Sequence, residues 1–207
     1  MLLTFSRAPL AIAGAVCVVV HTLTPVPAIL WSALGLMLAS ALTDLFDGFL
    51  ARRWGVTSKL GALADPLMDK VFYAVTLPVA VFVAMYNEDT RHALLLLTLD
   101  VVSALRDQWV SFLRTVGTEY GADVRANWSG KLRTFIGFPI IVFAHLQLGL
   151  ECLRLRSVEN EGVCMFNREL VFGLETLVIV LTIISAISYT LRYLPYLRKA
   201  GLGKSGR

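Results

Sequence analysis

Charge and cysteine are the scarce ingredients of this sequence. Asp, Glu, Lys and Arg together make up only 16% of its 207 residues, against about a quarter in an ordinary soluble domain. With 57% hydrophobic residues and a mean hydropathy of +0.69, the chain lacks the polar residues to coat a water-soluble globule. The same figures exclude a disordered chain, which needs low hydrophobicity and high net charge. Cysteine occurs only as Cys17, Cys152 and Cys164, so a disulfide-stapled miniprotein is excluded and no cysteine spacing suggests zinc. Internal repeats, low-complexity tracts and linker-like stretches are also missing, so residues 1–207 are expected to form a single domain.

What the chain does have is long apolar runs. Residues 8–43 contain no Asp, Glu, Lys or Arg. That is too long for one membrane crossing of about 20 residues, and Thr24-Pro25-Val26-Pro27 supplies the break. Residues 71–87 form a third run, 92–114 a fourth that carries Asp100, Arg106 and Asp107, 134–150 a fifth, and 170–191 a sixth interrupted by Glu175. The expected fold is therefore all-α, a polytopic membrane protein with six transmembrane helices and both termini on one side. Cytoplasmic termini put fifteen of the nineteen basic residues inside, leaving only Arg91, Arg154, Arg156 and Arg168 outside, as the positive-inside rule requires. The opening residues lack a small-residue cleavage site after their apolar run and read as part of the mature chain. Lys and Arg exceed Asp and Glu by four, an excess suited to anionic lipid headgroups rather than to nucleic acid. Cys152 and Cys164 fall in the outer loop between the fifth and sixth runs, where a disulfide and two thiols are both open. His21, His92 and His145 show no ligand spacing and read as structural, the four tryptophans read as interfacial anchors, and Asp100 is expected to pair with another helix.

One stretch carries chemistry. On a helix, Asp44, Asp47, Gly48, Ala51 and Arg52 fall on one face. Asp65-Pro66 reads as an N-cap followed by a first-turn proline, opening the third helix, with Asp69 one turn later. Four carboxylates near the inner membrane surface repel one another unless they are protonated or a divalent cation neutralises them. Oxygen donors without His or Cys favour Mg2+ or Mn2+. Gly48 lets a ligand approach the helix backbone, and Arg52 can fork onto a phosphate. Metal-assisted chemistry on a pyrophosphate follows from that combination.

The spacing Asp44-x2-Asp47-Gly48-x2-Ala51-Arg52-x8-Gly61-x3-Asp65-x3-Asp69 resembles, without departure, the signature of the CDP-alcohol phosphotransferase family. The resemblance implies a six-helix integral membrane enzyme, usually a homodimer, that transfers a substituted phosphate from a CDP-linked lipid to an alcohol and releases CMP. It implies two metal ions held by Asp44, Asp47, Asp65 and Asp69, with Asp69 also the general base. Gly48, Ala51, Arg52, Ser58 and Gly61 then serve the CDP-lipid. Leu2-Leu3-Thr4-x2-Arg7, Arg106-x7-Arg114 and Gly130-Lys131-Leu132-Arg133-Thr134 are similar to the branch whose acceptor is sn-glycerol 3-phosphate. In that branch Arg106, Arg114, Lys131 and Arg133 are expected to hold the acceptor phosphate. Met1, Asp107 and Gly137 stand where the branch usually has asparagine, glutamate and glutamine, so phosphatidylglycerol remains an alternative acceptor. A transporter or non-catalytic scaffold is the alternative of another class. The implied substrates are CDP-diacylglycerol and glycerol 3-phosphate. The implied location is a bacterial inner membrane, with the site facing the cytoplasm.

Overall fold

A computed structural model describes residues 2–54, 59–122, 128–156 and 167–202; within these, the side chains of residues 2–5, 44–54, 59–66, Asp69, Lys131 and Arg156 are outside the description. The described residues form six helices: α1 (Leu2–Leu23), α2 (Pro27–Trp54), α3 (Lys59–Tyr86), α4 (Thr90–Glu119), α5 (Trp128–Arg156) and α6 (Arg168–Gly201). Ser6–Leu23, Trp128–Leu155 and Arg168–Gly201 are long and apolar enough to cross a membrane, and Pro27–Thr43 and Lys70–Tyr86 are shorter apolar helices. The six predicted runs are all helical, but their charged ends extend further than hydropathy suggests.

The break between α1 and α2 falls at the predicted Thr24-Pro25-Val26 segment. His21, fully buried, closes it by setting its imidazole between the carbonyls of Val26 (3.0 Å) and Gly149 (3.1 Å). His145 likewise lies between the carbonyls of Ile141 and Thr76. Both histidines are structural, as expected. Asp89 caps α4 by accepting from the His92 amide at 3.1 Å.

Asp65-Pro66 does not open a helix. The chain is already helical from Lys59, so Pro66 lies in the interior and removes one backbone bond to Ala62. Leu60, Ala62, Leu63 and Ala64 are strong helix formers and override the local cap signal. Gly61, Asp65 and Asp69 consequently lie at i, i+4 and i+8 along one continuous helix. Cys152 is not in a loop either: it is buried within α5, with its thiol 3.5 Å from the Thr22 carbonyl. Cys164 lies outside the described residues. Asp100 is half-buried on α4 and has no hydrogen bond or ion pair among the described residues, contrary to the expected pairing.

Helix α1 packs between α2 and α3, α3 leads on to α4, α4 pairs with α6, and α5 closes the arrangement against α1, α2, α3 and α6. The main core gathers Leu30, Met37, Phe72, Leu77, Leu96, Leu99 and Leu148, with Phe138 stacked on Phe72. A second, smaller core of Val110, Leu113, Tyr189 and Tyr193 joins the later halves of α4 and α6. These two helices run parallel and are linked at successive levels: His92 to Glu175 (2.8 Å), Arg106 to Ser185 (2.6 Å), Trp109 to Thr190 (2.8 Å) and Arg114 to Tyr189 (3.0 Å). Beyond the last, Gly117 lies flat against Tyr193, where a Cβ would collide with the ring. The buried face of α6 is correspondingly polar, carrying Glu175, Thr182, Ser185, Tyr189 and Tyr193.

Candidate active site

The aspartate signature divides between two helices. Asp44, Asp47, Gly48, Ala51 and Arg52 occupy the last three described turns of α2 (Pro27–Trp54), and Gly55, a candidate helix end, lies outside the described residues. Gly61, Asp65 and Asp69 occupy the first three turns of α3. Their side chains are outside the description, and Ser58 lies outside the described residues altogether.

What is described in full is the wall beside them. Tyr73 lies one turn after position 69 on the same face of α3. Its ring receives the Arg133 guanidinium from α5, 4.8 Å from the centroid. Lys70, next to Asp69, donates to Ser111 Oγ on α4 at 2.6 Å. The α3 face that carries Asp69 is therefore joined on both sides to the helices bearing the predicted acceptor residues.

Three of those four residues meet. Asp107 accepts from Arg106 Nη1 at 2.7 Å and from Arg133 Nη1 at 3.0 Å. Arg106 Nη2 also donates to Ser185, Arg133 Nε donates to Thr182 Oγ1, and Arg114 Nη2 donates to the Tyr189 hydroxyl. Arg106 and Arg114 face the Tyr189 ring at 5.3 and 5.4 Å. Gly130, in the first turn of α5, makes room: a Cβ there would lie 3.0 Å from the Tyr189 hydroxyl and 3.1 Å from Arg106 Nη2. Lys131 is on the same first turn, with its side chain outside the description.

Among the described residues, two of these guanidinium groups share the Asp107 carboxylate and the third, Arg114, rests on Tyr189. Arg106 Nε, Arg114 Nε, Arg133 Nη2 and Ser129 Oγ are buried without a hydrogen-bond partner among the described residues. Unpaired donors at such depth cost about 1–3 kcal/mol each, more when charged, unless an anion takes them. Among the described residues this cluster carries more positive than negative charge. Sequence reading missed Tyr189, Ser185 and Thr182, which shape the site from α6. Their signal was present as polar residues at positions 182, 185 and 189, spaced along one face of an otherwise apolar helix.

A second polar group lies at the other end of the bundle. Asp89, His92 and Glu151 place one ligand atom each within 4.8 Å of one another, a group that can hold a metal ion. His92, read as structural from its lack of local spacing, is one member of this group. The stretch of α3 from Asp69 to Tyr86 alone is about 25 Å long, so this group is separate from the aspartate signature.

Comparison with known proteins decides the family. The CDP-alcohol phosphatidyltransferase family model matches residues 1–188. The chain belongs to the CDP-alcohol phosphatidyltransferase family. Within that family it is similar to the CDP-diacylglycerol–glycerol-3-phosphate 3-phosphatidyltransferase of Pectobacterium atrosepticum, 37% identical over 98 residues that cover 46% of this chain and 50% of the relative. The protein of the same name from Cereibacter sphaeroides is 32% identical over 133 residues, covering 64% of this chain and 57% of the relative. The chain spans about half the length of the curated relatives it matches. An enzyme of the phosphatidyltransferase class, built on apolar helices, is what the family match gives.

Proposed function

We propose that this enzyme transfers the phosphatidyl group of CDP-diacylglycerol to sn-glycerol 3-phosphate, giving phosphatidylglycerophosphate and CMP. The observation that carries the acceptor is the cluster of Arg106, Arg114 and Arg133 around Asp107 and Tyr189, whose excess of positive charge among the described residues suits the phosphate of glycerol 3-phosphate. A phosphate monoester carries close to two negative charges at neutral pH. The first turn of α5, with Gly130 and Lys131, presents the positive end of a helix dipole to the same place. The names of the bacterial relatives support the same donor and acceptor.

Asp44, Asp47, Asp65 and Asp69 form an all-carboxylate donor set on two neighbouring helix ends, which fits Mg2+ or Mn2+, two ions per site, and not a soft metal. Bound there, the ions supply positive charge to the pyrophosphate and its leaving group. Arg52 and Ser58 hold the cytidine diphosphate, while Gly48, Ala51 and Gly61 keep the helix surfaces clear for it. Arg106, Arg114, Lys131 and Arg133 hold the acceptor by its phosphate. Asp69, on the α3 face next to that cluster, takes the proton of the attacking hydroxyl as the new P–O bond forms. The bond to CMP breaks, and CMP leaves with the electron pair. All six helices cross an inner bacterial membrane as a single domain, with both termini and the site on the cytoplasmic side, and the enzyme works as a homodimer.

The test gives the purified enzyme CDP-diacylglycerol with competing labelled glycerol 3-phosphate and phosphatidylglycerol, with and without divalent metal. Metal-dependent CMP release with label in phosphatidylglycerophosphate is expected. Label in cardiolipin would overturn the acceptor. No CMP release under any condition would overturn the enzyme reading in favour of a scaffold.

A further inference from the structure

We propose that Asp89, His92 and Glu151 form a second metal site, selective for a zinc-type divalent ion, at the end of the bundle opposite the aspartate signature. Three elements meet there: the cap of α4, the last turns of α5 and the first turns of α6. Asp89 and His92 are buried, Glu151 is half-buried, and one atom from each lies within 4.8 Å of the others. His92 Nδ1 is 3.9 Å from Asp89 Oδ2. Two ligands of one tetrahedral zinc, at bonds of ~2.1 Å, sit about 3.4 Å apart, so the His92–Asp89 pair closes by about half an ångström and the widest separation by no more than about 1.4 Å, within reach of side-chain rotation. A cavity of about 230 Å³, lined by His92, Glu151, Arg154, Arg168 and Phe172, gives room for a fourth, exchangeable ligand.

The other face of the imidazole is already prepared. His92 Nε2 lies 2.8 Å from Glu175 Oε1 on α6. A proton on Nε2 satisfies that contact and leaves the lone pair on Nδ1, the side of Asp89. A carboxylate behind the imidazole is the usual support of a histidine ligand, fixing its tautomer and raising its basicity.

Two further observations point to a missing cation. Glu175 is only 1% exposed, its carboxylate is aimed at His92, and its Oε2 has no hydrogen-bond partner among the described residues. A buried carboxylate whose one described partner is an imidazole is poorly compensated; a divalent ion on the far nitrogen makes the Glu175–His92 bond charge-assisted. Second, Asp89 Oδ2 is paired with Arg168, whose side chain is half in solvent. Among the described residues, the carboxylates of Asp89, Glu151 and Glu175 gather around this one imidazole. Arg168 therefore acts as a removable counterion, free to swing into water when a metal ion takes its place. One imidazole with two carboxylates is a donor set for zinc rather than for Mg2+, which keeps this site chemically distinct from the oxygen-only signature.

The test measures Zn2+ binding, with Co2+ as a spectroscopic probe, to the full-length protein in detergent with Mg2+ in excess to occupy the aspartate signature. One tightly held ion with the visible absorption of four-coordinate Co2+ is expected. Glu175→Gln, which spares the ligands, should weaken binding about 10–100-fold, and Glu151→Gln, at a half-exposed position where folding is safe, should weaken it at least as much. Arg168→Gln should tighten it, because the competing cation is gone. No ion retained by the wild type, or retention unchanged in both Glu151→Gln and Glu175→Gln, would overturn the site. Weaker binding in Arg168→Gln would overturn the counterion role and the site with it. Phosphatidyl transfer in the same samples is read separately, so failure here leaves the proposed function untouched.

Discussion

Asp107 shows how much depends on one side chain. Among the described residues it is the one carboxylate beside three guanidinium groups, accepting from Arg106 and Arg133 at once. Removing one partner of a buried ion pair typically costs about 3–5 kcal/mol, because the remaining charges are left uncompensated. Asp107→Asn is therefore expected to lower the unfolding midpoint markedly, and inorganic phosphate or glycerol 3-phosphate should restore part of the loss by binding the folded state. Thermal scans with and without the anion check this; absence of rescue would mean that the cluster does not bind phosphate. Arg114→Gln should raise KM for glycerol 3-phosphate tenfold or more, the effect of losing a charge-assisted contact of about 1.5–3 kcal/mol, while KM for CDP-diacylglycerol stays nearly constant. Asp69→Asn should lower kcat by at least about 10²-fold without unfolding the protein, as expected for a lost general base. Equal KM effects on both substrates, or near-normal turnover in Asp69→Asn, would remove these residues from their roles.

At the scale of elements, the sequence announced the helices more clearly than their ends. Uncharged runs and the Thr24–Pro27 break located six helices because a membrane-length apolar stretch has few alternatives. Pro66 misled because its N-cap signature is local, whereas the helix formers before it continue the helix through the proline. The later halves of α4 and α6 were invisible to hydropathy: Arg106, Arg114, Tyr189 and Tyr193 make a polar seam that only their packing explains. The Asp89, His92 and Glu151 group escaped for a related reason, since its members come from distant stretches with no common spacing. The seam yields its own prediction. Gly117→Ala should destabilise by about 1–3 kcal/mol through overpacking against the rigid Tyr193 ring. Gly35→Ala on α2, where a Cβ meets nothing within 4 Å, should be neutral or stabilising by up to ~1 kcal/mol from helix propensity. Unfolding midpoints in detergent separate the two; equal midpoints would mean that α4 and α6 do not approach as closely as described.

For the molecule as a whole, orientation in the membrane is the property to test. With Cys164 replaced by serine, Arg91→Cys should react with a membrane-impermeant maleimide added to intact cells. Leu202→Cys should react only after the inner face is opened. The two residues are exposed and at opposite ends of the bundle, so the reverse pattern would invert the topology and put the aspartate signature outside. The native Cys17 and Cys152 give little background, being half-buried and buried within α1 and α5. The parallel pairing of α4 with α6 bears on how a substrate of the proposed kind would reach this site. Sliding one helix past the other by a turn would break the contacts of Glu175, Ser185, Tyr189 and Thr190 together. Such a pair behaves as a locked rail, with catches from one end of the helices to the other. Any clearance that admits a substrate and discharges a product must then come from outside the α4–α6 pair.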